Sequence, residues 1–185
     1  MNSMKEFDFS LVLYSDNISF EILESLLVDS ELTDATISQR NGTFYLDFTR
    51  SGSNLTDTIL TTIIDIENKT PFKICRIEPS DIVTSAEIAR RLGRSRQSVQ
   101  QLISGSRGSG DFPQPEAGIT TKTLFWSWTD VVSWFLEVSI ISDRSLYYDA
   151  MSIKALNIAL SYRDSKELNQ SIGIVLNRLN VESVL

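Results

Sequence analysis

The chain has 185 residues, 42% of them hydrophobic, enough to bury a core in one domain or two small ones. It contains no histidine, which excludes imidazole acid–base catalysis, Ser-His-Asp and Cys-His nucleophile systems and the usual zinc sites. Residues 1–80 carry six Lys and Arg against thirteen Asp and Glu, which accounts for the whole formal charge of −7, so this acidic segment is expected to avoid phosphate.

In chain order, Phe7, Phe9, Leu11 and Leu13 alternate as a strand, and Ser19 can cap a helix with Phe20, Leu23, Leu26 and Leu27 at helical spacing. Runs over 35–40 and 43–49 flank Asn41-Gly42, a strong hairpin signal that puts Phe44, Leu46 and Phe48 on one face. Asn54 can cap a second helix carrying Leu55, Ile59, Ile63 and Ile66, and Pro71 leads into a strand over 72–77 that contains Cys75. The order βαββαβ predicts a ferredoxin-like sandwich, a fold that assigns no function by itself. The acids Asp16, Asp29, Glu31, Asp34, Asp47 and Asp57 scatter over turns and outer faces, as a solvated surface does.

The most specific stretch is VTSAEIARRLGRSRQSVQQLISG, residues 83–105. Thr84 can cap a helix, with Glu87 at the box position and Val83 stapled onto Ile88, and Gly93 suits a tight exit. Ser95 can cap a second helix whose apolar stripe is Val99, Leu102 and Ile103, leaving Arg96, Gln97, Gln100 and Gln101 on the other side. From Thr84 to Gly110 there are five arginines, at positions 90, 91, 94, 96 and 107, against the one acid Glu87. A Gly- and Ser-rich turn follows, then FPQP, a hairpin through Ile119 and Leu124, and a helix capped by Ser127 with Val131, Trp134, Phe135 and Val138 at helical spacing. Trp126, Trp128 and Trp134 read as packing residues of this module, in preference to a base-stacking platform.

These motifs resemble the winged helix-turn-helix of MerR-type and excisionase or AlpA-like DNA-binding proteins, over residues 81–139. The resemblance implies that the second helix enters the major groove of double-stranded DNA. Arg96, Gln97, Gln100 and Gln101 would then face base edges, while Arg94, Ser95, Arg107 and Lys122 would face the backbone. Arg90 and Arg91 either assist or stay solvated.

From about Asp143 the tail reads as two helices. Leu146, Ala150, Ile153 and Leu160 lie near one stripe of the first. Asp164 or Ser165 starts the second, where Leu168, Ile172, Val175 and Leu179 repeat at coiled-coil spacing. The expected architecture is therefore α+β: an acidic ferredoxin-like domain at 1–80, a winged helix-turn-helix at 81–140 and a helical hairpin at 141–185 suited to homodimerisation.

No Walker or GxGxxG loop is present, and no cofactor, metal site or catalysis is expected. The lone Cys75 reads as a small core residue and suits a reducing cytoplasm; neither a signal peptide nor a membrane-spanning stretch is expected. The functional expectation is a bacterial or phage regulator that reads double-stranded DNA, as a repressor or antitoxin, whose acidic domain binds a protein partner such as a toxin or effector, or a small cation. The competing readings are an interaction adaptor without DNA binding, supported by the pI of about 4.6, and an excisionase-like factor that bends DNA.

Overall fold

The computed structural model describes residues 4–14, 18–163 and 165–179. The Asp16 and Asp164 expectations fall outside them. The fold is mixed α+β, with a four-stranded antiparallel sheet and a separate two-stranded one among the described residues. Contacts group residues 1–78 with 155–185 as one unit and residues 79–154 as another. The segment expected as a separate tail is thus divided at Lys154, inside a helix.

The first unit begins with β1 (Lys5–Leu13), α1 (Phe20–Asp29), β2 (Thr36–Arg40), β3 (Thr43–Gly52), α2 (Leu55–Lys69) and β4 (Ile74–Glu78). The strands line up in the order β2-β3-β1-β4. Alternation puts Phe9, Leu11 and Leu13 of β1 beside Phe44, Leu46 and Phe48 of β3 in the core, where Ile59, Ile63 and Ile66 of α2 are also buried. Ser19 and Asn54 cap α1 and α2 as their sequences predict, each accepting a backbone N–H from the first turn. Phe20 is the exception on α1: it is exposed, and Leu23 and Leu27 supply the buried face. Asn41 and Gly42 form the turn between β2 and β3, with φ of 51° and 78°, the left-handed pair that matches strand twist.

At one edge of the sheet, β4 is sealed by side chains. Its register against β1 slips between Val12 and Leu13, leaving Cys75 as a bulge residue, so Ile74 and Ile77 both reach the core despite their unequal parity. The polar groups of both isoleucines then face the open edge. The second half of α6 (Ser145–Arg163) meets them there: the Asn157 side chain accepts from Ile77 N–H at 2.8 Å and donates to its carbonyl at 3.0 Å. Arg163 donates to the Ile74 carbonyl, whose residue's N–H donates to Glu67. Burial pushes the Glu67 carboxyl up, but the Ile74 amide, Arg163 and Lys73 outweigh it and hold the group below its ordinary range. A free strand edge is thereby closed without another strand. The last helix, α7 (Lys166–Arg178), is capped by Ser165 and has no buried residue; Leu168 and Leu179, named for the heptad stripe, are exposed.

The second unit contains β5 (Ile82–Val83), α3 (Ser85–Arg91), α4 (Arg96–Ile103), β6 (Trp126–Ser127), α5 (Trp128–Glu137) and the first half of α6. β5 pairs antiparallel with β6, matching Ile82 to Ser127 and Val83 to Trp126. Its core holds Ile88, Ala89, Val99, Leu102, Val131 and Phe135 among others. Phe112 plugs this core at the end of the glycine-rich loop, edge-on to Trp134 at 5.0 Å and to Trp126 at 6.3 Å between ring centroids. All three tryptophans are buried, and Trp128 lies beneath the Arg91 guanidinium, 5.1 Å from the ring centre.

Candidate nucleic-acid interface

The site expected to face DNA is built on α4, and α4 is positioned by caps. Thr84 accepts from Glu87 N–H and starts α3; Ser95 accepts from Ser98 N–H and starts α4. Between them the chain turns through Gly93 at φ 61°, with Arg94 N–H donating back to the Ala89 carbonyl. Val99 and Leu102 anchor α4 in the core. At roughly 100° per residue, Arg96, Gln100, Gln97 and Gln101 occupy an arc of about 140° on the opposite side. Arg96, Gln97 and Gln100 are exposed there and Gln101 is half-buried, so the helix presents amides and one guanidinium but no acid.

Not all of this face is equally free. The Gln100 amide donates to Ser85 Oγ on α3 at 2.8 Å, and Ser95 Oγ is occupied by its cap. Arg94 lies over the Phe135 ring, 5.6 Å from its centroid. Arg96, Arg107 and Lys122 have no acidic partner among the described residues.

Two arginines of the cluster are committed elsewhere. Glu87, expected to reach back toward the helix start, instead accepts from Arg90 and Arg91, at 2.6 Å and 2.9 Å. The Arg90 hydrogen bonds do most to hold its carboxyl down at about 2. Arg91 also donates to the Ser80 carbonyl and is 12% exposed. It belongs to the packing of the unit, whereas Arg90 remains at the surface.

Flanking α4, the loop over 104–110 folds against the helix end: Arg107 N–H and Ser106 Oγ both donate to the Gln101 carbonyl. This fixes the backbone at Arg107 and leaves its side chain exposed. A hairpin follows, joined by the Ala117–Phe125 bridge, with Ile119 and Lys122 exposed between. The Trp126 indole N–H donates to the Pro113 carbonyl at 3.0 Å and fixes its base. Gly118 is required in it, because φ is 87° and an added Cβ would lie 2.0 Å from the Thr123 carbonyl oxygen. Gly118→Ala is expected to destabilise the hairpin by about 1–3 kcal/mol, the usual cost of a strained backbone. Hydrogen exchange should show faster exchange at Phe125 N–H, with Val99 unaffected.

Sequence reasoning missed the group that holds this module together. Asp81, 7% exposed, accepts from Ser127 Oγ at 2.8 Å and from the Thr129 N–H and hydroxyl at 2.7 Å and 2.6 Å. Its own carbonyl accepts from Trp128 N–H. Lys154 Nζ lies 3.2 Å from its carboxylate and also donates to Ser127 Oγ. Burial pushes the Asp81 carboxyl up, yet the Thr129 and Ser127 hydrogen bonds and the Lys154 charge prevail and lower it. Asp81 therefore ties β5 to the start of α5, setting the frame on which α3 and α4 rest. An isolated Asp before a short apolar pair gives no pattern from which this could be read.

No protein-family model, no curated protein and no solved structure matches this chain. Among the described residues there is also no cluster of three or more metal-ligating side chains, and no helix long and apolar enough to cross a membrane.

Proposed function

We propose that the chain is a sequence-specific, double-stranded DNA-binding regulator whose residues 79–154 act as a winged helix-turn-helix. The observation that carries this reading is the acid-free outer face of α4, where Arg96 and Gln97 are exposed, followed by the exposed Arg107 in the next loop, neither arginine having an acidic partner among the described residues. The α3–turn–α4 connection through Gly93, the β5–β6 pair and the hairpin bridged at Ala117–Phe125 support the winged form. The βαββαβ order and the β2-β3-β1-β4 sheet support a ferredoxin-like first unit, whose acidity suits a protein partner more than phosphate.

In this reading Arg96 and Gln97 contact base edges, for which Arg suits guanine and Gln suits adenine. Gln100 joins them by exchanging its bond to Ser85 for one to a base, an exchange of similar net worth. Arg94, Arg107 and Lys122 hold phosphates, with the amides at the start of α4.

Fluorescence anisotropy on fragments of the adjoining promoter tests this. With three cations on phosphates per copy, affinity should fall about 40-fold between 50 and 200 mM salt. If no fragment binds better than random DNA even at low salt, the adaptor reading replaces this one.

A further inference from the structure

The two edges of the four-stranded sheet are treated differently. The β4 edge is sealed by Asn157, Glu67 and Arg163. Among the described residues the β2 edge has no such cover, and β2 contains no proline and no bulge. Its hydrogen-bonding phase follows from the two-residue turn at Asn41-Gly42: Arg40 and Thr43 close the ladder, so Arg40, Ser38 and Thr36 point their backbone groups toward β3. The N–H and C=O groups of Ile37 and Gln39 therefore point outward, and no described residue bonds them.

Charge on the outer face of the sheet says what fits this edge. Asp47 of β3 accepts from Ser10 Oγ and Ser38 Oγ, and no cation among the described residues pairs with it. Arg40, exposed at the end of β2, likewise has no acidic partner there. Within one chain the turn at Asn41-Gly42 keeps Arg40 at the far end of the ladder from Asp47, which pairs with Thr36. Two antiparallel β2 strands related by a two-fold axis at Ser38 would set Ile37 opposite the partner's Gln39, making four ladder hydrogen bonds. They would also set each Arg40 opposite the other copy's Thr36. Asp47 is next in that row, about 10 Å away by strand spacing, within reach of an arginine passing over a threonine.

We propose that the protein forms a homodimer by antiparallel pairing of the β2 edges of two copies about Ser38, with each Arg40 paired to the Asp47 of the other copy. The charge pairing is self-complementary, which selects a second copy over an unrelated strand. The inference does not rest on DNA binding, and its test contains no DNA.

Sedimentation velocity at micromolar concentration should show a dimer for the full chain. Gln39→Pro removes only an outward N–H, which an edge strand tolerates, so the variant should keep its circular dichroism while its dissociation constant rises at least about tenfold, two of four ladder bonds being lost. As a positive readout, Ser38→Cys in a Cys75→Ser background should form a covalent dimer under copper-phenanthroline oxidation. Residues facing across a non-hydrogen-bonded antiparallel pair stand about 4.5 Å apart, within disulfide reach. A monomeric wild type overturns the proposal. So does a dimer that Gln39→Pro leaves intact and Ser38→Cys fails to cross-link, which would place the contact elsewhere, as on the exposed stripe of α7.

Discussion

Asp81→Ala is expected to destabilise residues 79–154 by about 3–5 kcal/mol, the range for removing one partner of a buried, hydrogen-bonded ion pair. The loss exceeds one salt bridge because Asp81 takes the Ser127 hydroxyl, the Thr129 amide and hydroxyl, and the Lys154 ammonium together. Without it, the Thr129 amide and hydroxyl lose their acceptor, and Lys154 keeps only Ser127 Oγ and the more distant Glu116 at 3.4 Å. Asp81→Asn should cost less, since one amide oxygen can still serve Thr129, but its NH₂ would meet the Lys154 ammonium. The measurement is specific to this unit: all three tryptophans, 126, 128 and 134, lie in it, so urea unfolding followed by tryptophan emission reports on it directly. An alanine variant with an unchanged midpoint would show that the network is not a source of stability.

The same residue sets a pH dependence. The folded Asp81 carboxyl titrates below its ordinary value, so its contribution is complete above the unfolded carboxylate range near pH ~3.9 and is lost as pH falls through the folded pKa. Glu87 acts in the same direction, from its ordinary 4.5 down to about 2. Tryptophan-detected stability should therefore fall below about pH 4 in the wild type, and less steeply in Asp81→Asn.

Gln97→Ala is expected to cost about 1–3 kcal/mol on the preferred DNA site and little on random sequence, the signature of a base contact. Gln97 is chosen because it is exposed on α4 and, unlike Gln100, is not bonded to Ser85. Gln100→Ala should cost less, since the gain on DNA is offset by the lost internal bond. Arg107→Ala, at a loop residue whose backbone is held by the Gln101 carbonyl, should weaken specific and random sites about equally and reduce the salt slope by about one. Competition anisotropy with specific and scrambled duplexes separates the two effects. If Arg107→Ala abolishes preference while Gln97→Ala leaves it unchanged, the reading element is the loop and not α4.

Local signals carried the elements of this chain. The caps at Ser19, Asn54, Thr84, Ser95 and Ser127 were legible because a cap is an exchange between neighbours: a hydroxyl or amide oxygen taking an N–H two or three residues on. The Asn41-Gly42 turn was legible for the same reason, since its left-handed pair is set by the two residues themselves. The period-two alternation of β1 and β3 likewise announced which side chains would be buried.

What the tertiary structure decided are partnerships between residues far apart in the chain. Asp81 meets Thr129 and Lys154, and Ile77 meets Asn157 eighty residues away, and nothing in the composition around either marks the match. The sorting of arginines was equally hidden: Arg91 is spent on Glu87, Ser80 and Trp128, while Arg96 is exposed with no acidic partner among the described residues, although both sit in the same basic run. Sequence determines how many charges a segment carries and which stretches can start or turn. Which charge is left for a partner depends on the burial and desolvation that only the folded surroundings impose.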